Sequence, residues 1–381
     1  MDFAAVDRAL HTAVEQGVFP GAVVLVNQAG TVCYRKAVGY RSLEPERTPL
    51  SEETIFDLAS LTKPLATTVA IMLMVKEKKL RLDDRVSRFF PNFAMQGKSH
   101  LTFRHLLSHS SGLPAWRPYY QEIINREVHE GKVGLTSTRS AREFIYTQLQ
   151  REKLETPPGQ KAVYSDLGFM MLGAAIEDMS GLGLDQYCQE KIFRPLRLPS
   201  LTFINLELMR RHKLHLLLDR YAPTERCPWR KRILCAEVHD DNTYAMGGVA
   251  GHAGLFSPID EVDRLVSVLS ACYRGEHSFL PAEVVREFWT RQEGVPGSTW
   301  CLGWDTPSPQ RSSAGQFFSP HSVGHLGFTG TSIWIDLDKQ MHVIVLSNRV
   351  HPRRENDKIQ AFRPVLHDTI MQSACGKQGE D

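Results

Sequence analysis

Ser60-Leu61-Thr62-Lys63 places a hydroxyl and an amine three residues apart. On a helix that spacing puts both side chains on one face, one turn apart, where the amine can take the proton of an attacking hydroxyl. Such a base needs a depressed pKa, which burial beside apolar neighbours and other cations would supply. Alone the pattern means little. About one Ser-x-x-Lys is expected by chance in a chain of this length, and an N-cap serine followed by a solvated lysine explains it as readily. Two later segments change that balance. Tyr164-Ser165-Asp166 supplies a phenol, which beside an ammonium can carry a proton to a leaving group. Gly324-His325-Leu326-Gly327-Phe328-Thr329-Gly330 opens a strand whose glycines let backbone lie close to a ligand and offer it main-chain donors. In this order the three segments are the parts of an acyl-transfer site.

Each segment needs an element to hold it. Phe56-Asp57-Leu58-Ala59 leads into the serine, and Pro64, Leu65, Ala66, Val69, Ala70, Ile71, Leu73 and Met74 read as a buried helix starting there. Pro64 suits a first turn, whose N–H groups have no intrahelical acceptor, so the Ser60 N–H is free to face a developing oxyanion. Thr156-Pro157-Pro158-Gly159-Gln160 is a turn cluster, and an apolar helix follows from Gly168 to Met179, which leaves Tyr164 on the loop before it. Ile333-Trp334-Ile335-Asp336 and Met341 to Leu346 form a hairpin across Leu337-Asp338-Lys339-Gln340. Coarsely, a helix from Phe3 to Gln16 precedes strands at Ala22 to Val26 and Val32 to Val38. Helices dominate from Ser60 to about Ser270, strands return from about Cys301 to Ser347, and a helix closes the chain from Ala361 to Gln372. The expected fold class is α/β, of the α+β type: one catalytic domain over 1–381, with an antiparallel sheet lobe (1–59 and 300–381), a helical lobe (60–299) and the site at their junction.

Further stretches carry a resemblance. Phe19-Pro20-Gly21-Ala22-Val23-Val24, Leu82-Asp83-Asp84-Arg85-Val86, the run Leu101 to Pro114 with Leu107-Ser108-His109-Ser110-Ser111-Gly112 at its centre, and Pro158-Gly159 through Tyr164-Ser165-Asp166-Leu167-Gly168 accompany the three segments. With these, the chain resembles the serine β-lactamase and penicillin-binding-protein family, in its class C-like and esterase-like branch. The resemblance implies a β-lactamase/transpeptidase-like fold. It makes Ser60 the acylated nucleophile, Lys63 its base partner and Tyr164 a second general base for deacylation. Phe328 becomes the second oxyanion donor beside Ser60, with His325, Gly327 and Asp166 at the substrate. Two positions depart from the family pattern. Asp166 stands where asparagine is usual and favours a cationic Lys63 or a substrate amine. His325 stands where β-lactamases have lysine; a histidine only fractionally charged near neutrality weakens a carboxylate anchor, and KM for carboxylate-bearing β-lactams is expected to rise between about pH 6 and 8.

The activity expected is that of a serine hydrolase acting through an acyl-enzyme on small esters or amides, with weak β-lactam hydrolysis or binding. An amidase or D-amino-acid peptidase acting on cell-wall muropeptides is the alternative, because family members that process muropeptides have runs similar to His239-Asp240-Asp241-Asn242 and Ala250-Gly251-His252-Ala253-Gly254-Leu255. A non-catalytic penicillin-binding module is the reading of another class. His239, Asp240 and Asp241 are metal-ligand types, yet neighbours on a strand point to opposite faces and chelate poorly, so a wall of the pocket is the better expectation and no metal or cofactor is expected. A net charge of +2 is too balanced for nucleic acid or an anionic membrane as the main partner. Seven cysteines without a C-x-x-C pair read as reduced thiols, no stretch reaches the length of a membrane span, and the amino end lacks the basic-then-apolar pattern of a secretion signal, so a cytoplasmic location is expected. Ala115 to Ser140 and Arg210 to Arg232 read as insertions that set pocket size, and the second carries a basic run, Arg226, Arg230, Lys231 and Arg232, expected to face solvent.

Overall fold

The computed structural model describes residues 1–129, 131 and 134–375, so three residues of the first expected insertion, Glu130, Lys132 and Val133, lie outside the described residues. Alternating apolar residues build a central sheet. Strands β1 (Gly21–Gln28), β2 (Thr31–Ser42), β3 (Thr48–Pro49), β4 (Val323–Leu326), β5 (Ser332–Asp336) and β6 (Met341–Ser347) lie in the order β3-β2-β1-β6-β5-β4, antiparallel throughout. The first and last parts of the chain therefore meet in the middle of the sheet, where Val24 of β1 faces Val345 of β6. Their side chains alternate between two cores. Ala22, Val24, Val26, Val343 and Val345 pack with helices α1 (Ala4–Glu15) and the closing helix Ile359–Cys375, whereas Val23, Leu25, Ile344 and Leu346 join the larger core on the other face.

That larger core belongs to both lobes. It takes in α2 (Val69–Lys76), buried from Val69 to Met74, and α3 (Asp166–Ser180), buried from Leu167 to Ile176. Their near-continuous apolar sequences follow from burial on all sides. The site hangs from the N-terminal ends of both helices and from β4 at the sheet edge. No single helix among the described residues is long and apolar enough to cross a membrane.

Four expectations change. Strands do not return at Cys301; apart from isolated bridges the sheet resumes at Val323, since the intervening segment is turns rich in Ser, Pro and Gly. The helical lobe is not purely helical, because Phe56–Asp57, Leu255–Ser257 and Thr202–Phe203 make a small sheet that ties the segment before Ser60 into it. The chain around Ser60 is not regular α-helix: a 3₁₀ turn (Ala59–Leu61) and a wide π turn (Lys63–Thr68) come before α2. Pro64 has no N–H for the usual i→i−4 ladder, so the backbone re-registers there. Finally, Arg230 of the basic run is buried, donating to Asp241 at 2.9 Å between the rings of Trp229 and Tyr244, because a carboxylate and two aromatic faces replace its water. The six cysteines whose side chains are described are free thiols.

Candidate active site

Ser60 sits at the end of a tightly braced turn. Ala59 before it takes a φ of +47°, a left-handed conformation costly for any residue with a Cβ, and the surroundings hold it there. Asp57 Oδ1 accepts the Ala59 N–H at 2.8 Å, Asp57 Oδ2 accepts the His239 N–H at 2.6 Å, and the Thr62 hydroxyl donates to the Ala59 carbonyl at 2.7 Å. Burial pushes the Asp57 carboxyl up, against the two N–H donors that favour its charged form. The same segment is pinned to the far strand: Thr329 donates to the Asp57 carbonyl at 2.8 Å and Thr331 to the Leu58 carbonyl at 3.1 Å. Gly327 allows that approach, since a Cβ there would stand 2.0 Å from Thr331 Oγ1 and 2.7 Å from the Leu58 carbonyl oxygen. The glycine thus serves contact between two backbone segments of the site.

Lys63 is fully buried, and its ammonium has three partners: Ser60 Oγ at 3.0 Å, the His252 carbonyl at 3.1 Å and Asp166 Oδ1 at 2.8 Å. Burial alone would push its pKa down, but Asp166 and Tyr164 outweigh it and hold the pKa above the ordinary lysine value. The expected depressed base is therefore corrected: the neighbours that matter are an acid and a phenol, not other cations, and Lys63 rests as an ammonium. Tyr164 lies within hydrogen-bonding reach of Lys63 and Ser60, with Lys63 4.8 Å from its ring centre. Although 36% of the residue is open to the cavity, desolvation raises its pKa against the pull of Lys63, so it rests as a neutral phenol. Ser165 caps α3, its hydroxyl accepting the Gly168 N–H, which fixes Tyr164 on one side and Asp166 on the other.

Sequence reasoning passed over the residue that supports Tyr164. His109, buried and at a φ of +54°, accepts the Ser165 N–H at Nδ1 over 3.0 Å and packs against the rings of Tyr164 (4.6 Å) and Trp300 (4.4 Å). Burial, reinforced by Lys63, keeps its imidazole neutral. Its position inside the Ser108-His109-Ser110-Ser111-Gly112 run was the available signal.

His325 does not carry the charge expected of it. Burial, then the nearby Lys63, pushes its pKa down to about 3, so the ring is neutral at every pH of interest. Its Nδ1 meets the Leu326 carbonyl at 2.8 Å, an arrangement that requires Nδ1 to carry the proton and leaves Nε2 as a buried acceptor without a partner among the described residues. His325 can therefore receive a hydrogen bond from a substrate N–H or O–H, but cannot anchor a carboxylate by charge. Phe328 offers a main-chain N–H that meets no acceptor among the described residues. Its half-exposed ring is held between the His239 ring, stacked at 5.5 Å, and the Arg349 guanidinium at 4.4 Å, while Arg349 Nε donates to the Phe328 carbonyl at 2.8 Å. With the first-turn N–H of Ser60, this makes a braced pair of oxyanion donors.

The acidic segment that invited a metal is spent on three separate contacts. His239 pairs with Glu225 at 3.2 Å, Asp240 with His252 at 2.9 Å, and Asp241 with Arg230 and Arg354. Burial works against it, yet His252 and the Thr243 N–H hold the Asp240 carboxyl below the usual range, and Asp240 in turn steadies the loop whose carbonyl receives Lys63. Asp57→Asn tests the brace. An amide can accept one of the two N–H groups and leaves the other buried and unpaired, so a loss of about 1–3 kcal/mol in unfolding free energy is expected by denaturant titration, with kcat falling about tenfold or more as Ser60 loosens.

All of this faces one cavity of about 1000 Å³, lined among others by Ser60, Tyr164, Asp166, His325, Phe328 and Arg363. Every residue named from the sequence as catalytic or substrate-binding lies at this site. Comparison with known proteins agrees with the geometry. The Beta-lactamase family model matches residues 6–364. A "Putative D-alanyl-D-alanine carboxypeptidase" of Escherichia coli K12 is 31% identical over 377 residues, covering 91% of this chain and 82% of that protein. An N-acetylmuramyl-L-alanine amidase of Bacillus subtilis 168 is 31% identical over 370 residues, covering 91% and 80%. A solved hydrolase with promiscuous acyltransferase activity superimposes with a TM-score of 0.71 over 96% of this chain and 97% of its own at 24% identity, and an octameric penicillin-binding protein homologue from Pyrococcus abyssi with 0.70 over 96% and 78% at 24%. At that identity these two speak for the fold. The chain belongs to the beta-lactamase family and is a serine hydrolase.

Proposed function

We propose that this hydrolase cleaves an amide bond in a cell-wall-derived peptide that carries a carboxylate, through an ester on Ser60. The observation that carries the reading is a pair of buried guanidiniums beside the oxyanion strand. Arg363 donates to the Gly327 and Thr331 carbonyls at 3.2 and 3.1 Å, Arg349 donates to the Phe328 carbonyl, and among the described residues neither is in an ion pair. Burial, then Arg349, pushes Arg363 down to about 10, and its Nε has no partner among the described residues. Two buried cations side by side are costly unless an anion joins them, and a substrate carboxylate in the cavity supplies one. His325, held neutral, adds no charge to that contact. The curated relatives named for carboxypeptidase and amidase action support the same class.

The chemistry follows from the resting charges. A proton passed from Lys63 to Asp166 across 2.8 Å leaves a neutral amine 3.0 Å from Ser60 Oγ. That amine takes the serine proton as Oγ bonds to the amide carbon, and the N–H groups of Ser60 and Phe328 hold the oxyanion. Tyr164 gives its proton to the departing amine as the C–N bond breaks, the tyrosinate so formed takes a proton from the water that attacks the ester, and Lys63 returns the serine proton to Oγ as the acid leaves. The test is a panel of p-nitrophenyl acetate, nitrocefin, D-alanyl-D-alanine peptides and muramyl peptides. Peptide amides are expected to give the highest kcat/KM, with KM flat between about pH 6 and 8 because His325 does not titrate there. Turnover confined to neutral esters and nitrocefin would overturn the peptide reading.

A further inference from the structure

Every exposed leucine among the described residues lies in one stretch, 206–220, which runs into the second insertion. Leu208, Leu214, Leu217 and Leu218 are 42, 53, 68 and 56% exposed. The stretch is fixed from beneath. Its inward side chains, Leu206, Met209 and Leu216, pack on a cluster that includes Ile55, Ile204, Tyr221 and Phe256. The helix Leu206–Arg211 is closed by the Leu214 N–H donating to the Met209 carbonyl at 2.9 Å, and Arg41 Nη1 donates to the Leu218 and Tyr221 carbonyls at 3.1 and 3.0 Å. The four outward leucines belong to none of the cores, so a braced backbone holds them in water at an unfavourable hydration free energy. Between them stand basic side chains. Four arginines and lysines face two acids in the stretch, and Arg211, Lys213 and Arg220 are exposed and in no ion pair among the described residues. The whole-chain charge of +2 conceals this local surplus.

Leucines interleaved with unpaired cations fit one partner best. We propose that the stretch 206–220 docks the protein on a bilayer of anionic phospholipid. A fluid bilayer shapes itself round separate side chains: the leucines enter the acyl boundary, and the long arginine and lysine side chains stay with the phosphates above it. A second copy of this chain would set the same cations against one another across a two-fold contact. Nucleic acid would pair with the cations and leave the leucines in water. No residue of the stretch lines the cavity that holds Ser60, so this surface is separate from the catalytic site and independent of the amide-hydrolase reading.

The experiment is cosedimentation of the full chain with large unilamellar vesicles, either phosphatidylcholine alone or equal parts phosphatidylcholine and phosphatidylglycerol. The partition coefficient is expected to be about tenfold or more higher on the anionic vesicles, and to fall by about tenfold as salt rises from about 0.05 to 0.5 M. The double variants Leu217→Ser, Leu218→Ser and Arg211→Gln, Lys213→Gln should each weaken binding by about tenfold. Their unfolding temperatures should stay within about 3 °C of wild type, because these side chains belong to no core. No binding to the anionic vesicles, or binding that neither double variant weakens, would overturn the proposal. So would self-association in the absence of lipid, followed by sedimentation velocity, that the leucine variant abolishes, since that result gives the patch to a second copy of this chain.

Discussion

Ser60→Ala is expected to lower kcat/KM for every substrate by about 10⁴-fold or more and to abolish covalent labelling by a penicillin or a fluorophosphonate. The loss is that large because the brace around the nucleophile has nothing else to present: Asp57, Thr62, Thr329 and Thr331 all act to place one hydroxyl 3.0 Å from Lys63. The substitution removes only a partly exposed Oγ, so the fold should survive it and reversible binding of peptide should persist. Mass spectrometry of the labelled protein checks the first point and calorimetry of the variant the second. Label retained elsewhere on the chain with activity intact would show that the nucleophile is another residue. A non-catalytic penicillin-binding module is already disfavoured by the intact arrangement of Ser60, Lys63 and Tyr164.

Asp166→Asn, which restores the residue usual for the family, is expected to turn a flat pH profile into a steep one. In the wild type the pKa of the buried Lys63 is held above the ordinary lysine value, so its ammonium does not titrate across about pH 6 to 9 and the free amine arises only by proton transfer within the 2.8 Å contact to Asp166. Removing the carboxylate removes the larger of the two groups that hold the lysine pKa up and leaves Tyr164 alone against the burial that pushes it down. The sign is then determined. The ammonium of the variant loses its proton as pH rises, so kcat/KM should climb about tenfold per pH unit below the new lysine pKa and level off above it, whereas the wild type stays near constant across about pH 6 to 9. At pH 6 the variant should be slower by about tenfold or more. Superimposable profiles for the two proteins would show that Asp166 takes no part in the proton's path.

The sequence was enough to place Ser60 and Lys63 at the entry to a buried helix and Tyr164 on the loop before another, because a serine, a proline and an apolar run at helical spacing leave few other arrangements for Ser60 to Met74, and a second apolar run follows Gly168. It was also enough for the hairpin and for the two terminal helices, whose periodicity is clean. It could not give the π turn after Lys63, which depends on how the backbone absorbs Pro64 under packing from both sides. His109 was invisible as a support for Tyr164, since what makes it one is a ring contact of 4.6 Å and an N–H from Ser165, 56 residues away in the chain. Arg349 and Arg363 were missed for a similar reason: arginines near the carboxyl end carry no signal until the closing helix folds back against β4 and β5.

Residue type and local spacing therefore determined which groups could react, and tertiary structure decided their charge. Ser60, Lys63, Tyr164, Asp166 and His325 could all be named from the chain alone. The protonation of Lys63 could not, because it follows from a carboxylate brought to 2.8 Å from 103 positions along the sequence, and a pKa depends on which charges and how much water surround a group in space. The same physics reversed the expectation for His325: its type suggested a titrating switch, and complete burial beside a cation makes it a permanent neutral acceptor.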